Sequence, residues 1–144
     1  MTDATVVVLP DDADLEPAFE VRRDVFVEEQ GVDEAIEIDG KDPDADHVLA
    51  RKDGKPVATA RLRVIDETIG KIERVAVLAD YRDSGIGRQV MDRIELLAGD
   101  RSLERLELHA QTHVEGFYER LGYETVSDVF EEAGIPHVEM IKQL

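Results

Sequence analysis

The side chains with the clearest chemical potential lie in the run from Ile72 to Arg88, IERVAVLADYRDSGIGR. Its apolar first half predicts a buried strand, and its second half predicts a loop that leads into a helix. The first N–H groups of a helix lack intrahelical acceptors and carry partial positive charge. Gly85 and Gly87 predict a backbone that turns with positive φ and admits an anion, while Arg82 and Arg88 add charge-assisted contacts. The run therefore predicts a phosphate-binding loop.

The spacing of this loop differs from two common phosphate-binding motifs. No Lys-Ser or Lys-Thr pair follows the glycines, as a P-loop requires, and the third glycine of a dinucleotide-binding motif is missing. By itself, the Arg-x-x-Gly-x-Gly pattern also fits an ordinary connection between a strand and a helix. The surrounding sequence favours the phosphate loop.

Several parts of the chain resemble the GNAT family of N-acetyltransferases. Arg82, Gly85 and Gly87 match the family's Arg/Gln-x-x-Gly-x-Gly/Ala pyrophosphate loop, and a family-like Val-x-Val strand end precedes them. Residues 111–123, QTHVEGFYERLGY, resemble the family's Asn-x-x-Ala-x-x-Phe-Tyr-x-x-x-Gly-Phe helix. Residues 22–30, 37–40 and 134–137 resemble a small bacterial and archaeal branch. The resemblance spans nearly the whole chain, but it does not identify the acceptor, because members acetylate very different amines.

The resemblance implies an acetyl-CoA-dependent N-acetyltransferase in which an amine attacks directly within a ternary complex. A domain that binds acyl-CoA as a sensor, without transferring anything, is the alternative. The pyrophosphate is expected on the loop, the pantetheine arm along residues 75–77, and Gln111 stands where many members have a CoA-contacting Asn. The expected donor-binding residues are Val75, Ala76, Val77, Arg82, Asp83, Ser84, Gly85, Ile86, Gly87, Arg88 and Gln111.

Glu73 and Tyr118 are the expected catalytic residues. An alkylamine with a pKa near 10.4 is only about 0.04% neutral at pH 7, a deficit of roughly 4.6 kcal/mol, so a general base is needed. Strand alternation places Glu73 on one face with Lys71, Val75 and Val77, and the family often has its base there. In the alternative, Glu73 only forms an ion pair with Arg61 or Arg63. His109 or His137 is then the candidate base.

Tyr118 matches the family's general acid, which protonates or hydrogen-bonds the departing thiolate. Packing beside Phe117 is its alternative role. Six residues are candidates for the acceptor site by position, although each also suits a solvated surface: Arg22, Glu28, Glu29, His47, His109 and His137. No metal is expected, because among the four histidines only His109 and His113 are closely spaced.

Composition narrows the functional classes. The 144 residues with 42% hydrophobic content suit one domain, 1–144. With no cysteine in the chain, an acyl-cysteine intermediate, a disulfide and a thiolate metal site are excluded. The start of the chain has no basic lead and no long apolar run, which predicts neither a signal peptide nor a membrane span and, by default, a cytoplasmic location.

The net charge of −17 disfavours nucleic acid and anionic membranes as partners. The acids are spread along the chain, which indicates a salt-adapted, halophilic surface that molar salt would screen. In the alternative explanation, the acidic residues attract a cationic acceptor, such as a polyamine. An amine-bearing small molecule or protein is the expected partner, and pairing of sheet edges makes a homodimer plausible.

The hydrophobic pattern predicts an α+β fold with a mixed, mainly antiparallel sheet and helices on its faces. Asp53-Gly54 predicts a tight hairpin turn. Helices are expected at about 15–29, 84–97 and 114–121, with a long acidic loop at 31–46. Strands are expected at 5–9, 47–51, 56–65, 70–77, 103–110, 124–130 and 137–142.

Overall fold

One eight-stranded sheet organises the chain in the computed structural model, which describes residues 4–144. Its strands are β1 (Thr5–Val8), β2 (Asp46–Lys52), β3 (Lys55–Asp66), β4 (Ile69–Val77), β5 (Arg105–Gln111), β6 (Glu124–Thr125), β7 (Phe130–Glu132) and β8 (Ile135–Gln143). The order is β1-β2-β3-β4-β5-β8-β6, with β7 also paired to β8. Among the strand pairs of the described residues, only β4–β5 is parallel. The predicted α+β class and mainly antiparallel sheet are confirmed.

Helices cover both faces of the sheet. They are α1 (Glu16–Arg22), a π-helix (Arg23–Glu29), α2 (Glu34–Glu37), α3 (Ile86–Asp100) and α4 (Glu115–Arg120), with 3₁₀ turns at Asp42–Asp44, Ala79–Tyr81 and Thr112–Val114. The apolar residues of α3 recur at three- and four-residue spacing, so they form one stripe that packs into the main core. On the opposite face, Val21 and Val25 pack on Ala76.

Local structure departs from the sequence-based expectation in two places. The helix expected at 15–29 changes to π geometry at Arg23, and the Gln30 N–H donates to the Val25 carbonyl five residues earlier, at 3.1 Å. The strand expected at 124–130 is two short strands, because β6 and β7 pair with different parts of β8. The predicted β2–β3 hairpin is confirmed, with positive φ at Asp53 and Gly54.

A β-bulge in β4 makes the strand-alternation prediction wrong. Arg61 pairs with Glu73 and Thr59 with Ala76, which leaves two residues of β4, 74 and 75, opposite one residue of β3. Arg74 has a φ of 56°. The extra residue puts Ala76 on the face of Glu73, whereas Val75 and Val77 pack against the main core on the other face.

No helix within residues 4–144 is long and apolar enough to cross a membrane. The expectation of no signal peptide falls partly on Met1–Asp3, which lie outside the described residues.

Candidate active site

The site lies where the two parallel strands separate. Pairing of β4 with β5 ends at Ile72 and Leu108, and the next residues along the two strands are Glu73 and His109. Beyond this point a cavity of about 1030 Å³ opens between the strands. One edge of the β4 backbone from Glu73 onward therefore has no strand partner within residues 4–144 and faces the cavity, where it can pair with an extended ligand.

The loop before α3 forms one end of the cavity. Gly85 precedes the first residue of α3 with a φ of 86°, and a Cβ there would meet nothing within 4 Å. The glycine is required by its left-handed backbone, and the space beside it is open. The Arg82 Nε donates to the Val77 carbonyl at 2.9 Å, which fixes the loop against the end of β4.

Gly87 is needed for a different reason from the one that the sequence suggested. It does not have a positive φ. Instead, a Cβ at Gly87 would lie 3.3 Å from the Phe117 ring and 3.7 Å from a Val77 methyl. The glycine therefore allows α3 to pack closely on α4 and on β4.

Basic residues are concentrated along the cavity. The whole chain has 17 Lys and Arg against 34 Asp and Glu, but six of each line the cavity. In a strongly acidic protein, this balance favours an anionic ligand there more than on the rest of the surface. The lining cations are Lys41, Lys71, Arg74, Arg82, Arg88 and Arg120.

Comparisons with known proteins agree with this geometry. Residues 11–144 match the family described as Acetyltransferase (GNAT) domain. The chain belongs to the GNAT acetyltransferase family. The Bacillus subtilis protein BSU40680, whose name describes it as an acetyltransferase, is 46% identical over 133 residues, which are 90% of each chain.

Two crystal structures show the same fold. Escherichia coli ElaA has a TM-score of 0.87 at 30% identity, over 97% of this chain and 99% of that chain. An acyl-CoA N-acyltransferase from Pseudomonas aeruginosa has a TM-score of 0.84 at 31% identity, over 97% and 99%. The predicted GNAT fold and the predicted N-acetyltransferase enzyme are therefore confirmed, and acetyl transfer from an acyl-CoA is the general reaction of this family.

Most of the predicted donor-binding residues lie along this GNAT cavity. Nine of the eleven line it: Val75, Ala76, Val77, Arg82, Asp83, Gly85, Gly87, Arg88 and Gln111. Ile86 is instead buried in the core, and the Ser84 hydroxyl donates to the Tyr81 carbonyl. These two residues are not part of the cavity lining, whereas the other nine are.

Arg82 and Gln111, two of the predicted donor contacts, form hydrogen bonds with residues at the end of the π-helix. Glu29 accepts two hydrogen bonds from the Arg82 guanidinium, at 2.6 and 2.7 Å. Gln30 and Gln111 exchange amide hydrogen bonds at 3.1 and 2.8 Å. The hydrogen bond from Arg82 is the main reason why the pKa of Glu29 lies below its usual range. A donor that uses Arg82 and Gln111 must replace these contacts.

Glu73 lines the cavity as an ion-paired carboxylate. It accepts hydrogen bonds from Arg61 Nη2 at 2.9 Å and from Arg63 Nε at 2.5 Å, with Lys71 Nζ 3.8 Å away. Burial alone would raise the pKa of Glu73, but the hydrogen bond from Arg63 and the charge of Arg61 outweigh it and lower the pKa. A carboxylate held in this way is a weak proton acceptor. The arginine pairing is thus present, and the catalytic role of Glu73 stays a prediction.

Tyr118 is nearly buried and lines the cavity, with its ring edge-on to those of Phe117 and Tyr123. Burial raises the pKa of Tyr118, so its hydroxyl is protonated at neutral pH. Both roles considered for this residue are compatible with its position: it packs among aromatic rings, and it contributes to the cavity wall.

The six predicted acceptor residues fall into two groups. Glu29, His109 and His137 line the cavity. Arg22 and His47 are buried outside its lining, and Glu28 is exposed outside it. Within residues 4–144, no cluster of three or more His, Asp or Glu is arranged to hold a metal ion.

A buried ion cluster was not predicted from the sequence; it is formed by Arg22, Glu37, Asp39, Asp42 and Arg61. Asp42 Oδ1 accepts from Arg22 at 2.7 Å and from Arg61 at 3.0 Å. Arg22 also pairs with Glu37, and Arg61 binds both oxygens of Asp39. The cluster fastens the expected acidic loop onto the sheet. A hint was available, because Arg61 alternates with apolar residues in a strand that is buried on both faces.

Proposed function

We propose that this protein transfers the acetyl group of acetyl-CoA directly to an amine, with both substrates bound in one ternary complex. The observation that carries the proposal is the opening of β4 from β5 into a cavity that ends at the N-terminus of α3. A linear thioester with an anionic tail suits this shape, because one end offers helix N–H groups and arginines and the middle offers an unpaired strand edge.

The donor is proposed to lie along β4. Its pyrophosphate binds the loop from Arg82 to Arg88, and its amide groups pair with the backbone of residues 75–77. The thioester then lies near the point where β4 and β5 separate, between Glu73 and His109. Tyr118 donates a hydrogen bond to the departing sulfur, because it keeps its proton at neutral pH.

Donor binding is tested by isothermal titration calorimetry with acetyl-CoA, CoA and ATP. Gly85→Glu places a side chain and a negative charge at the loop, and we expect it to abolish binding of acetyl-CoA and CoA. Gly54→Glu is the matched control, since Gly54 also has positive φ and open space but lies in the β2–β3 turn. Equal CoA affinity in both variants would refute the assigned donor site.

A second candidate function is acyl-CoA sensing without transfer, which the ion pairing of Glu73 favours. A screen of the wild-type protein for thiol release with primary amines separates the two functions, and Tyr118→Phe then tests the role of the hydroxyl. If the protein is an enzyme that uses this hydroxyl, turnover falls roughly 10²-fold or more while acetyl-CoA affinity stays within about twofold. Donor binding without thiol release from any amine in the wild-type protein would support the sensor.

The acidic surface is proposed to be an adaptation to high salt. Charges on such a surface repel one another in dilute buffer, and at 1 M salt the Debye length falls to about 3 Å. We therefore expect the free energy of unfolding to increase as KCl is added up to about 2 M. A decrease would contradict salt adaptation.

A further inference from the structure

A carboxylate between two histidines lies on the cavity wall opposite Glu73. Glu132 Oε1 is 2.9 Å from His109 Nδ1, and Glu132 Oε2 is 3.8 Å from His137 Nε2. The Phe130 ring meets His109 edge-on and stacks on His137. All three polar side chains line the cavity. We name Glu132, His109 and His137 the histidine cluster.

Strand register brings the cluster together from three strands. On β8, His137 pairs with Phe130 of β7 on one side and with Gln111 of β5 on the other. Paired residues point to the same face of a sheet, and so do alternate residues along a strand. The cluster therefore shares the face of Gln111, a predicted donor contact.

Stability does not explain this arrangement. The Glu132 side chain is 47% exposed, and an exposed ion pair contributes only about 0–1 kcal/mol. Placement beside the cavity is the feature that sets Glu132 apart.

The hydrogen bonds define which nitrogen of His137 can accept a proton. His137 Nδ1 lies 2.6 Å from the Ile135 carbonyl, which can only accept, so Nδ1 carries a hydrogen. In the neutral ring, Nε2 is then the basic nitrogen, and it faces Glu132. A proton taken up at Nε2 produces an imidazolium beside a carboxylate, which stabilises it.

Other charged side chains lie around the histidine cluster. His109 Nε2 lies 3.4 Å from Glu139 of β8, so both of its ring nitrogens face carboxylates. On the opposite wall, Glu73 is held by arginines and its pKa is lowered. The imidazole of His137 thus offers a basic nitrogen at the cavity wall.

We propose that His137 is the general base of the acetyl transfer and that Glu132 is a positioning residue shared by His137 and His109. The proposal rests on the proposed function. An N–H bond of the acceptor ammonium breaks and the proton moves to His137 Nε2. The freed amine attacks the thioester carbon and the C–S bond breaks. The nitrogen loses its second proton as the amide forms, the thiolate receives that proton by way of the Tyr118 hydroxyl, and the proton on His137 leaves through the half-exposed Glu132 to water.

The arrangement is tested first without any substrate, by NMR titration of the histidine rings in wild-type protein and Glu132→Gln. A shared carboxylate predicts that the titration midpoints of both His109 and His137 move to lower pH. Glu131→Gln is the matched control, because Glu131, the residue before Glu132, is exposed and makes no side-chain hydrogen bond within the described residues. Movement of one midpoint or of neither would overturn the shared role of Glu132.

The catalytic role is tested by the pH dependence of kcat/KM for thiol release, with acetyl-CoA binding measured in parallel. We expect His137→Gln to lower kcat/KM about 10²–10⁴-fold and to remove its acidic limb, and Glu132→Gln to move that limb to lower pH. Acetyl-CoA affinity should stay within about twofold in both. An unchanged limb, or its loss in Glu73→Gln alone, would overturn the proposal. Failure of the proposed function looks different: the wild-type protein itself releases no thiol.

Discussion

The loop before α3 and the acidic segment 34–44 differ in how their charges are arranged. The loop 82–88, the proposed donor end of the cavity, is contiguous in sequence, and its Arg82 is 38% exposed with one carboxylate partner among the described residues. Around the acidic segment 34–44, charges from three distant parts of the chain are buried, and Arg22 and Arg61 are 1% and 0% exposed. An exposed cation with one partner can exchange that partner for a ligand. Buried ions with several partners instead hold the structure together.

Removing the charge that both buried arginines share is expected to have the largest effect. Asp42→Asn leaves Arg22 and Arg61 short of an anion in a buried site, and we expect the free energy of unfolding to fall by about 3–5 kcal/mol. Asp44→Asn, an exposed change in the same turn, should cost less than about 0.5 kcal/mol. Urea denaturation of both variants measures the difference. Equal stability would show that the cluster does not hold this segment.

Acid should cancel the effect of Asp42→Asn. Burial alone would raise the pKa of Asp42, but hydrogen bonds from Arg22 and Arg61 lower it below its ordinary value of 3.8. A lowered carboxyl pKa contributes stability above the unfolded-state value, and that stability is lost as pH falls through the folded-state value. The stability difference between wild type and Asp42→Asn should therefore shrink when urea titrations at pH 7 are repeated below pH 3.8. A constant difference would assign the loss to packing instead of charge.

The same contrast explains what the sequence could predict. The geometry of the loop 82–88 was predictable because it depends on local features, namely a strand end, a glycine in left-handed geometry and a helix start. The β-bulge at Arg74 was not predictable, because it depends on how β4 pairs with β3. The roles of Arg22 and Asp42 were also hidden, since residues 15 to 20 positions apart in sequence must meet before their charges are paired.

The donor end should lose function without losing stability. Arg82→Ala removes a guanidinium suited to two phosphate contacts, and charge-assisted hydrogen bonds contribute about 1.5–3 kcal/mol. We expect acetyl-CoA to bind roughly 10–100-fold more weakly by calorimetry, with the free energy of unfolding changed by less than about 1 kcal/mol. Arg101→Ala, which removes another exposed arginine with one carboxylate partner, should leave donor affinity unchanged. Unchanged affinity in Arg82→Ala would place the pyrophosphate elsewhere.

The smallest expected effect concerns Glu29, which occupies Arg82 before any donor binds. Glu29→Gln removes the competing negative charge, and an exposed ion pair contributes about 0–1 kcal/mol. Acetyl-CoA should then bind up to about fivefold more tightly, and the gain should diminish at high KCl. Glu28→Gln makes the same charge change one residue earlier, outside the cavity lining, and should have no such effect. Weaker binding in Glu29→Gln would mean that Glu29 contributes to the bound state. Tighter binding would mean that the pyrophosphate replaces Glu29 as the partner of Arg82. Such an exchange of partners is what distinguishes the proposed donor end from the buried ion cluster.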